Sequence, residues 1–183
     1  MDNREKVNQI LKETISQEDA FAFYDSLEPV IPDEMWGLWK GSEMKTGHPF
    51  EGLLKAAGWY GKRFVNSEEV YPLIFEKQNG KLYAGNPTLI PITLPFDKIP
   101  HRIVNLAMKV VVPILSTNKS SARLREVNYR GKVTSAMVYD TKGIIDIFRK
   151  VDDNTLMGIM DIKGIKTDKS YFFILDRVQE GTI

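Results

Sequence analysis

The feature that most constrains the fold is the succession of short apolar segments and turn sequences over the last 60 residues. Asp140-Thr141-Lys142-Gly143 has Asp first and Gly fourth, as in a type I turn followed by a glycine bulge. Val151-Asp152-Asp153-Asn154 can form a similar turn with Asn in the left-handed conformation. The pattern therefore predicts an antiparallel meander with strands over about 123–140, 144–151, 155–162 and 170–178.

These two turns predict which residues of the meander share a face. They pair Tyr139 with Ile145 and Arg149 with Met157, and they place aliphatic side chains beside a few polar ones. The polar members are Ser135, Tyr139, Arg149 and Asp161. If Gly131 leaves the alternation of the strand unchanged, Arg125 and Tyr129 extend the same face. An apolar surface with few convergent polar groups is typical of a ligand pocket. In the alternative, Arg149 and Asp161 form an ion pair, or face solvent in a register shifted by one residue.

The N-terminal part predicts helices, and strands follow them. Apolar residues recur at helical spacing over 3–14 and 17–28, Ser16 and Asp19 resemble a capping box, and Pro29 and Pro32 end the helical region. Strand-like segments come next, and Asn79-Gly80 is a strong hairpin signal between two of them. Both faces of the meander are partly apolar, so both must be covered. We therefore predict a mainly β protein, an antiparallel barrel or strongly curved sheet with the helices packed outside it.

The middle of the chain predicts an irregular connection. Residues 85–100 contain four prolines, and the apolar spacing over 103–111 predicts a short amphipathic helix that stops at Pro113. This helix is either a packing element or a lid over a cavity, since long connections in compact domains are often functional.

Several separate motifs resemble one protein family. WGLWKG, TGHPFEGLL, AAGWYGKRF and VYPLIF resemble the GXWXG-motif family, and the stretch from ARLREVNYRG to MDIKG resembles its companion C-terminal domain of unknown function. The resemblance implies a lipocalin-like or fatty-acid-binding-protein-like β-barrel, without a settled activity. In lipocalin-type barrels a Gly-x-Trp near the start of the first strand closes one end of the barrel. Trp39 is therefore expected to be structural.

The length of 183 residues predicts a single domain. Its parts are a helical segment over 1–30, a GXWXG segment with the first strands over 31–84, a proline-rich connection with a short helix over 85–120, and the β-meander over 121–183. The charged N-terminus lacks the apolar core of a signal peptide, and no apolar run approaches the ~20 residues of a membrane span. A cytoplasmic location is expected. A net charge of +1 gives no reason to expect nucleic acid as a partner.

Composition also excludes several kinds of chemistry. The chain has no cysteine, so thiolate metal sites and cysteine nucleophiles are ruled out. Two distant histidines, His48 and His101, do not supply the three or four ligands of a zinc site. A heme-binding barrel would need an axial histidine, and none follows position 101. No cofactor or metal is therefore expected.

Three classes of function remain. In a binding protein, Arg125, Tyr129 and Arg149 would hold the carboxylate of a fatty-acid-like ligand in the barrel, with Glu43 and His48 among the other candidate ligand-binding residues. In a cofactor-independent lyase or isomerase, Asp161 or Glu43 would be the general base, and Tyr139 or Arg149 would stabilise negative charge. In a structural or interaction protein, the barrel would be filled. Binding is favoured because no catalytic constellation is visible and barrels of this size commonly enclose one small ligand.

Overall fold

The structure is a computed structural model that describes residues 2–89, 116–165 and 167–179. Its helices are α1 (Asn3–Ile10), α2 (Gln17–Ser26) and the short α3 (Leu53–Ala56), with 3-10 turns at Pro32–Met35 and Pro87–Leu89. Its strands are β1 (Gly37–Glu43), β2 (Trp59–Phe64), β3 (Val70–Glu76), β4 (Leu82–Gly85), β5 (Ser116–Thr117), β6 (Ala122–Tyr129), β7 (Lys132–Tyr139), β8 (Ile144–Asp152), β9 (Thr155–Ile162) and β10 (Tyr171–Arg177). The helix predicted over 103–111 lies outside the described residues.

The described strands form one antiparallel sheet that closes into a barrel. Their order is β2-β1-β10-β9-β8-β7-β6-β3-β4-β5, and a further pairing of β2 with β3 joins the ring. One end of β3 meets β6, and its other end meets β4, so β4 and β5 branch from a ring of eight strands. The predicted antiparallel barrel is confirmed, and of its two predicted forms the closed barrel is the one found.

The turn between β6 and β7 was not predicted. Arg130 and Gly131 both have positive φ angles, 49° and 79°, as required in the two-residue turns that match the twist of a hairpin. Tyr129 therefore pairs with Lys132, and the predicted single strand over 123–140 is in fact two strands.

The predicted register between β7 and β8 is wrong by one residue. Val138, not Tyr139, lies opposite Ile145. A glycine bulge needs a left-handed glycine, and Gly143 does not have a positive φ. Asp140 continues the pairing of β7 with β6: its N–H donates to the Ser121 carbonyl, next to the Ala122–Tyr139 pair, and its carboxylate accepts from Arg123.

The predicted register between β8 and β9 is confirmed. Arg149 lies opposite Met157, and Ile145 lies opposite Asp161. Because only the preceding hairpin is shifted, the predicted face is divided between the two sides of the sheet. Met137 and Tyr139 belong to the barrel interior with Ile144 and Phe148, whereas Arg149, Met157 and Ile159 lie on the outer side.

Helices α1 and α2 cover the outer face of β8, β9 and β10. Asp2 begins α1 with a capping box, and the Ser16 hydroxyl accepts from the Asp19 N–H at the start of α2. Phe23 and Leu27 of this helical region pack with Phe172 and Ile174 of β10 in a second apolar cluster separate from the barrel interior. Within the described ranges no helix is both long enough and apolar enough to cross a membrane.

One end of the barrel is closed around Trp39. Its side chain is 0% exposed, and its Nε1–H donates to the Met35 carbonyl at 2.7 Å. The Arg177 guanidinium lies 4.2 Å from the centroid of the indole ring and donates to the carbonyls of Trp36 and Glu34. The first and last strands of the barrel are thus held together at this end.

Candidate functional site

A buried ion pair lies in the apolar interior of the barrel. Lys62 of β2 and Asp146 of β8 are 3% and 1% exposed, and Lys62 Nζ lies 2.7 Å from Asp146 Oδ2. Lys62 Nζ also donates to the Pro72 carbonyl at 3.2 Å. Burial raises the pKa of Asp146, and the Lys62 ammonium only partly opposes that effect. The carboxyl is therefore more basic than an ordinary aspartate.

Aromatic rings surround the Lys62 ammonium. Its Nζ lies 5.0 Å from the ring centroid of Phe173, 5.8 Å from that of Trp59 and 5.9 Å from that of Tyr139. Burial raises the pKa of Tyr139 well above its ordinary value, and the nearby Asp146 carboxyl raises it further. Tyr139 therefore remains a neutral hydroxyl beside a buried carboxyl.

A second polar pair lies farther along the interior. The Tyr171 hydroxyl donates to Glu43 Oε1 at 2.6 Å, and the Gly52 N–H donates to Glu43 Oε2 at 3.1 Å. Burial raises the pKa of Glu43. Burial raises the pKa of Tyr171 well above its ordinary value, and the charge of the Glu43 carboxyl and the hydrogen bond to it raise the pKa further.

His48 packs edge-on against Tyr171, with ring centroids 5.4 Å apart. Its Nδ1 accepts the Phe50 N–H at 3.1 Å, and the side chain is almost fully buried. Burial lowers the pKa of His48 to about 4. The imidazole is therefore neutral near pH 7, with its proton on Nε2.

Two buried polar atoms of this interior have no hydrogen-bond partner within the described part of the chain: the donor Trp59 Nε1 and the acceptor Asp146 Oδ1. Both residues flank Lys62. An unsatisfied buried donor or acceptor costs free energy, and such atoms are rare in folded proteins.

An open pocket of about 890 Å³ lies beside Trp59. It is lined by residues 55–59, at the junction of α3 and β2, and by residues 76–79 and Tyr83, around the β3–β4 hairpin. Trp59 belongs both to this lining and to the interior apolar cluster.

The structure separates the site residues predicted from the sequence. Tyr139, Glu43 and His48 lie in the interior polar region described above. The other four predicted residues do not face the interior. Arg125 is exposed and pairs with Glu68, Asp161 is exposed, and Arg149 and Tyr129 lie on the outer side against α2. The predicted single face fails because of the one-residue register difference at β7–β8 and the unpredicted turn at Arg130 and Gly131.

Lys62, Asp146, Trp59 and Tyr171 were not predicted as site residues. Asp146 had a recognisable signal, because it stands between Ile145 and Ile147 on a strand with apolar neighbours. Lys62 had no recognisable signal. Strict alternation along β2 would put Trp59 and Lys62 on opposite faces, and both lie inside because the pairing of β2 with β3 is irregular on both sides of Gly61. Within the described residues, no three His, Asp or Glu side chains are grouped to hold a metal ion.

The fold and the site together define a closed, eight-stranded antiparallel barrel with a few buried polar groups in an apolar interior. The chain belongs to the GXWXG family. The model described as GXWXG protein matches residues 22–80, which include Gly37-Leu38-Trp39-Lys40-Gly41, and a second model, Domain of unknown function (DUF4334), matches residues 120–177. The chain is similar to a protein from Thermomonospora curvata in a crystal structure, with 30% identity, a TM-score of 0.72 and coverage of 98% of this chain and 100% of that chain. No curated protein matches the chain.

Proposed function

We propose that the protein binds a small, mainly apolar ligand in the barrel, and that the ligand presents a neutral hydroxyl or carboxamide to Trp59 and Asp146. The observation that carries this proposal is the pair of unpartnered buried atoms, the donor Trp59 Nε1 and the acceptor Asp146 Oδ1. A group that both accepts and donates would satisfy both atoms. The surrounding aromatic side chains would contact the apolar part of the ligand.

The charges favour a neutral ligand over the carboxylate predicted from the sequence. That prediction relied on Arg125 and Arg149, which lie outside the interior. Among the described interior residues, the Lys62 ammonium is already paired with Asp146, and Glu43 supplies a second carboxyl. A ligand carboxylate beside Asp146 would add a like charge where solvent screens little.

Displacement of an environment-sensitive lipid probe tests the proposal, with octanol, octanamide and octanoic acid as competitors. The alcohol and the amide are expected to displace the probe at lower concentration than the acid at pH 7. Trp59→Phe removes the Nε1–H donor and keeps an aromatic ring. We expect it to weaken octanamide binding roughly 2- to 10-fold, the value of one net hydrogen bond.

Trp36→Phe is the matched control, because Trp36 packs at the closed end of the barrel and should leave affinity unchanged. Stronger binding of octanoic acid, with no effect of Trp59→Phe, would restore the fatty-acid prediction and contradict the neutral ligand. Failure of all three competitors to displace a bound probe would contradict the ligand class.

The second candidate function is that of a cofactor-independent isomerase, and the position of Asp146 beside Tyr139 supports it. A basic carboxyl next to a neutral tyrosine hydroxyl is a combination suited to proton transfer at carbon. Asp146 would remove a proton from the carbon next to a carbonyl, and Tyr139 would donate a hydrogen bond to the enolate oxygen. The protonated Asp146 would then return the proton to another carbon of the same molecule, so that atoms and charge balance.

Exchange of deuterium from solvent into the α-position of a bound ketone tests this step by NMR. Exchange faster than in buffer is expected for the wild type, and its loss is expected for Asp146→Asn. Tyr139→Phe should slow the exchange while probe binding persists. Binding without exchange would contradict the isomerase and leave the binding proposal standing.

A further inference from the structure

Arg149 is fully buried on the outer face of β8, beneath α2. Its side chain is 0% exposed, and Nη2 donates to the Tyr129 carbonyl at 2.8 Å. The guanidinium carbon lies 5.1 Å from the centroid of the Tyr24 ring. Arg149 is therefore enclosed by β6, β8 and α2, away from the barrel interior.

The guanidinium has fewer partners than a buried cation needs. Nε and Nη1 are both buried without a hydrogen-bond acceptor, and among the described residues no carboxylate is within ion-pair distance of Arg149. A buried charge with neither a counter-charge nor satisfied hydrogen bonds is strongly unfavourable. Two orphaned donors on one buried arginine therefore require an acceptor from outside the described residues.

The neighbouring charges do not neutralise Arg149. Asp25 of α2 is held by Arg130 in two hydrogen bonds of 2.7 and 2.6 Å, and Lys132 Nζ donates to the carbonyls of Leu27 and Asp25. Asp161 also interacts with this region, but its side chain is exposed. The cations of this region are therefore Arg130, Lys132 and Arg149, and its carboxylates are Asp25 and Asp161. One positive charge is not balanced, and Arg149 is the most buried of the five side chains.

We propose that a small monovalent anion of the size of chloride binds beside Arg149, between α2 and the outer face of the barrel. The anion would accept from a guanidinium N–H that now lacks a partner and would neutralise the remaining positive charge. A compact, weakly hydrated anion suits the site because α2 closes it off from solvent. The anion would join α2 to the sheet, so its binding would stabilise the folded protein.

Thermal unfolding in sodium chloride, sodium bromide and sodium gluconate at equal ionic strength tests the site. Chloride and bromide, at concentrations about 100-fold above their Kd, are expected to raise the Tm by roughly 5 °C or more over gluconate, which is too large for the site. Arg149→Met should abolish this difference. Arg123→Met is the matched control, because Arg123 is exposed, pairs with Asp140 and does not belong to this group of charges, and it should retain the difference.

Anomalous scattering from crystals of the wild type grown in sodium bromide supplies a second measurement that does not depend on the folding of any variant. A bromide peak within hydrogen-bond distance of Arg149 Nε or Nη1 is expected. An ordinary water at both atoms, with no anomalous peak, would overturn the proposal. So would an equal Tm in the three salts, or a halide effect that persists in Arg149→Met.

Discussion

Lys62 and Asp146 form an ion pair inside the barrel, where both side chains have lost nearly all contact with water: they are 4% and 2% exposed. The attraction between two such charges offsets the loss of hydration only while both are present. Replacing one member of the pair is therefore expected to lower the stability of the protein much more than replacing both.

Lys62→Met is expected to lower the free energy of unfolding by roughly 3–5 kcal/mol, because it leaves the Asp146 carboxyl buried without a counter-charge. The double substitution Lys62→Met with Asp146→Leu should recover most of that loss. Urea unfolding measures both values. Arg123→Met breaks an exposed ion pair with Asp140 and is the matched control, with an expected cost of at most ~1 kcal/mol. A similar cost at Lys62 would contradict this account.

His48 is expected to make stability depend on pH. Its pKa falls from 6.5 in the unfolded chain to about 4 in the folded protein, so the folded state binds fewer protons between these values. The contribution of His48 to the free energy of unfolding is fully present above pH 6.5 and is lost as the pH falls toward 4. At pH 5 the free energy of unfolding is expected to be lower by roughly 2 kcal/mol for this reason. His48→Asn keeps an acceptor for the Phe50 N–H without titrating. Urea midpoints at pH 7 and 5 should therefore fall more for the wild type than for this variant, and an equal fall would refute the assignment.

Among the secondary-structure elements, a hairpin with a strong turn sequence was predicted correctly. A hairpin whose register depends on the backbone conformation of one glycine was not. The Asn79-Gly80 signal is confirmed by the pairing of β3 with β4 and a Gly80 φ of 80°. The face of β7 was wrong because Gly143 does not adopt the left-handed conformation of the predicted glycine bulge, and Asp140 continues the pairing of β7 with β6. The candidate site was predicted only in part for the same reason: Tyr139 was included and Asp146 was not, because a register that pairs Tyr139 with Ile145 puts Asp146 on the other side of the sheet.

The packing of β1 against β2 depends on glycine at position 41. A Cβ atom there would lie 2.1 Å from Cη2 of Trp59, so the indole ring occupies the space that a side chain would need. Gly41→Ala is expected to displace the ring and to cost roughly 1–3 kcal/mol in urea unfolding, the usual range for overpacking. Combining it with Trp59→Leu should make the cost of the alanine much smaller than in the wild type. Equal costs in both backgrounds would mean that the two residues do not compete for space.

Across the whole molecule, closure of the barrel depends on contacts between distant parts of the chain. Trp39 of β1 lies opposite Arg177 of β10, and Arg177 also donates to the Trp36 carbonyl, 141 residues away. The indole ring, its hydrogen bond to Met35 and the guanidinium form one unit at the closed end.

Trp39→Ala is expected to lower the free energy of unfolding by roughly 3–5 kcal/mol, because it empties a large, fully buried aromatic site. Trp36→Ala is the matched comparison at the same end of the barrel, where the side chain is only partly buried and the cost should be smaller. Urea unfolding gives both values. A cost below ~1 kcal/mol for Trp39→Ala would mean that this tryptophan does not hold the barrel end together.

The pairing of β1 with β10 also dictates when the protein can reach its final form during synthesis. The first strand leaves the ribosome long before its neighbour, so its free edge and its tryptophan stay unprotected while the rest of the ring is made. Strand pairings between such distant segments form slowly, because the chain between them loses conformational entropy before the stabilising contacts are made. The nascent chain is thus most prone to self-association just before β10 emerges, when seven strands of the ring are present and the last position is still open.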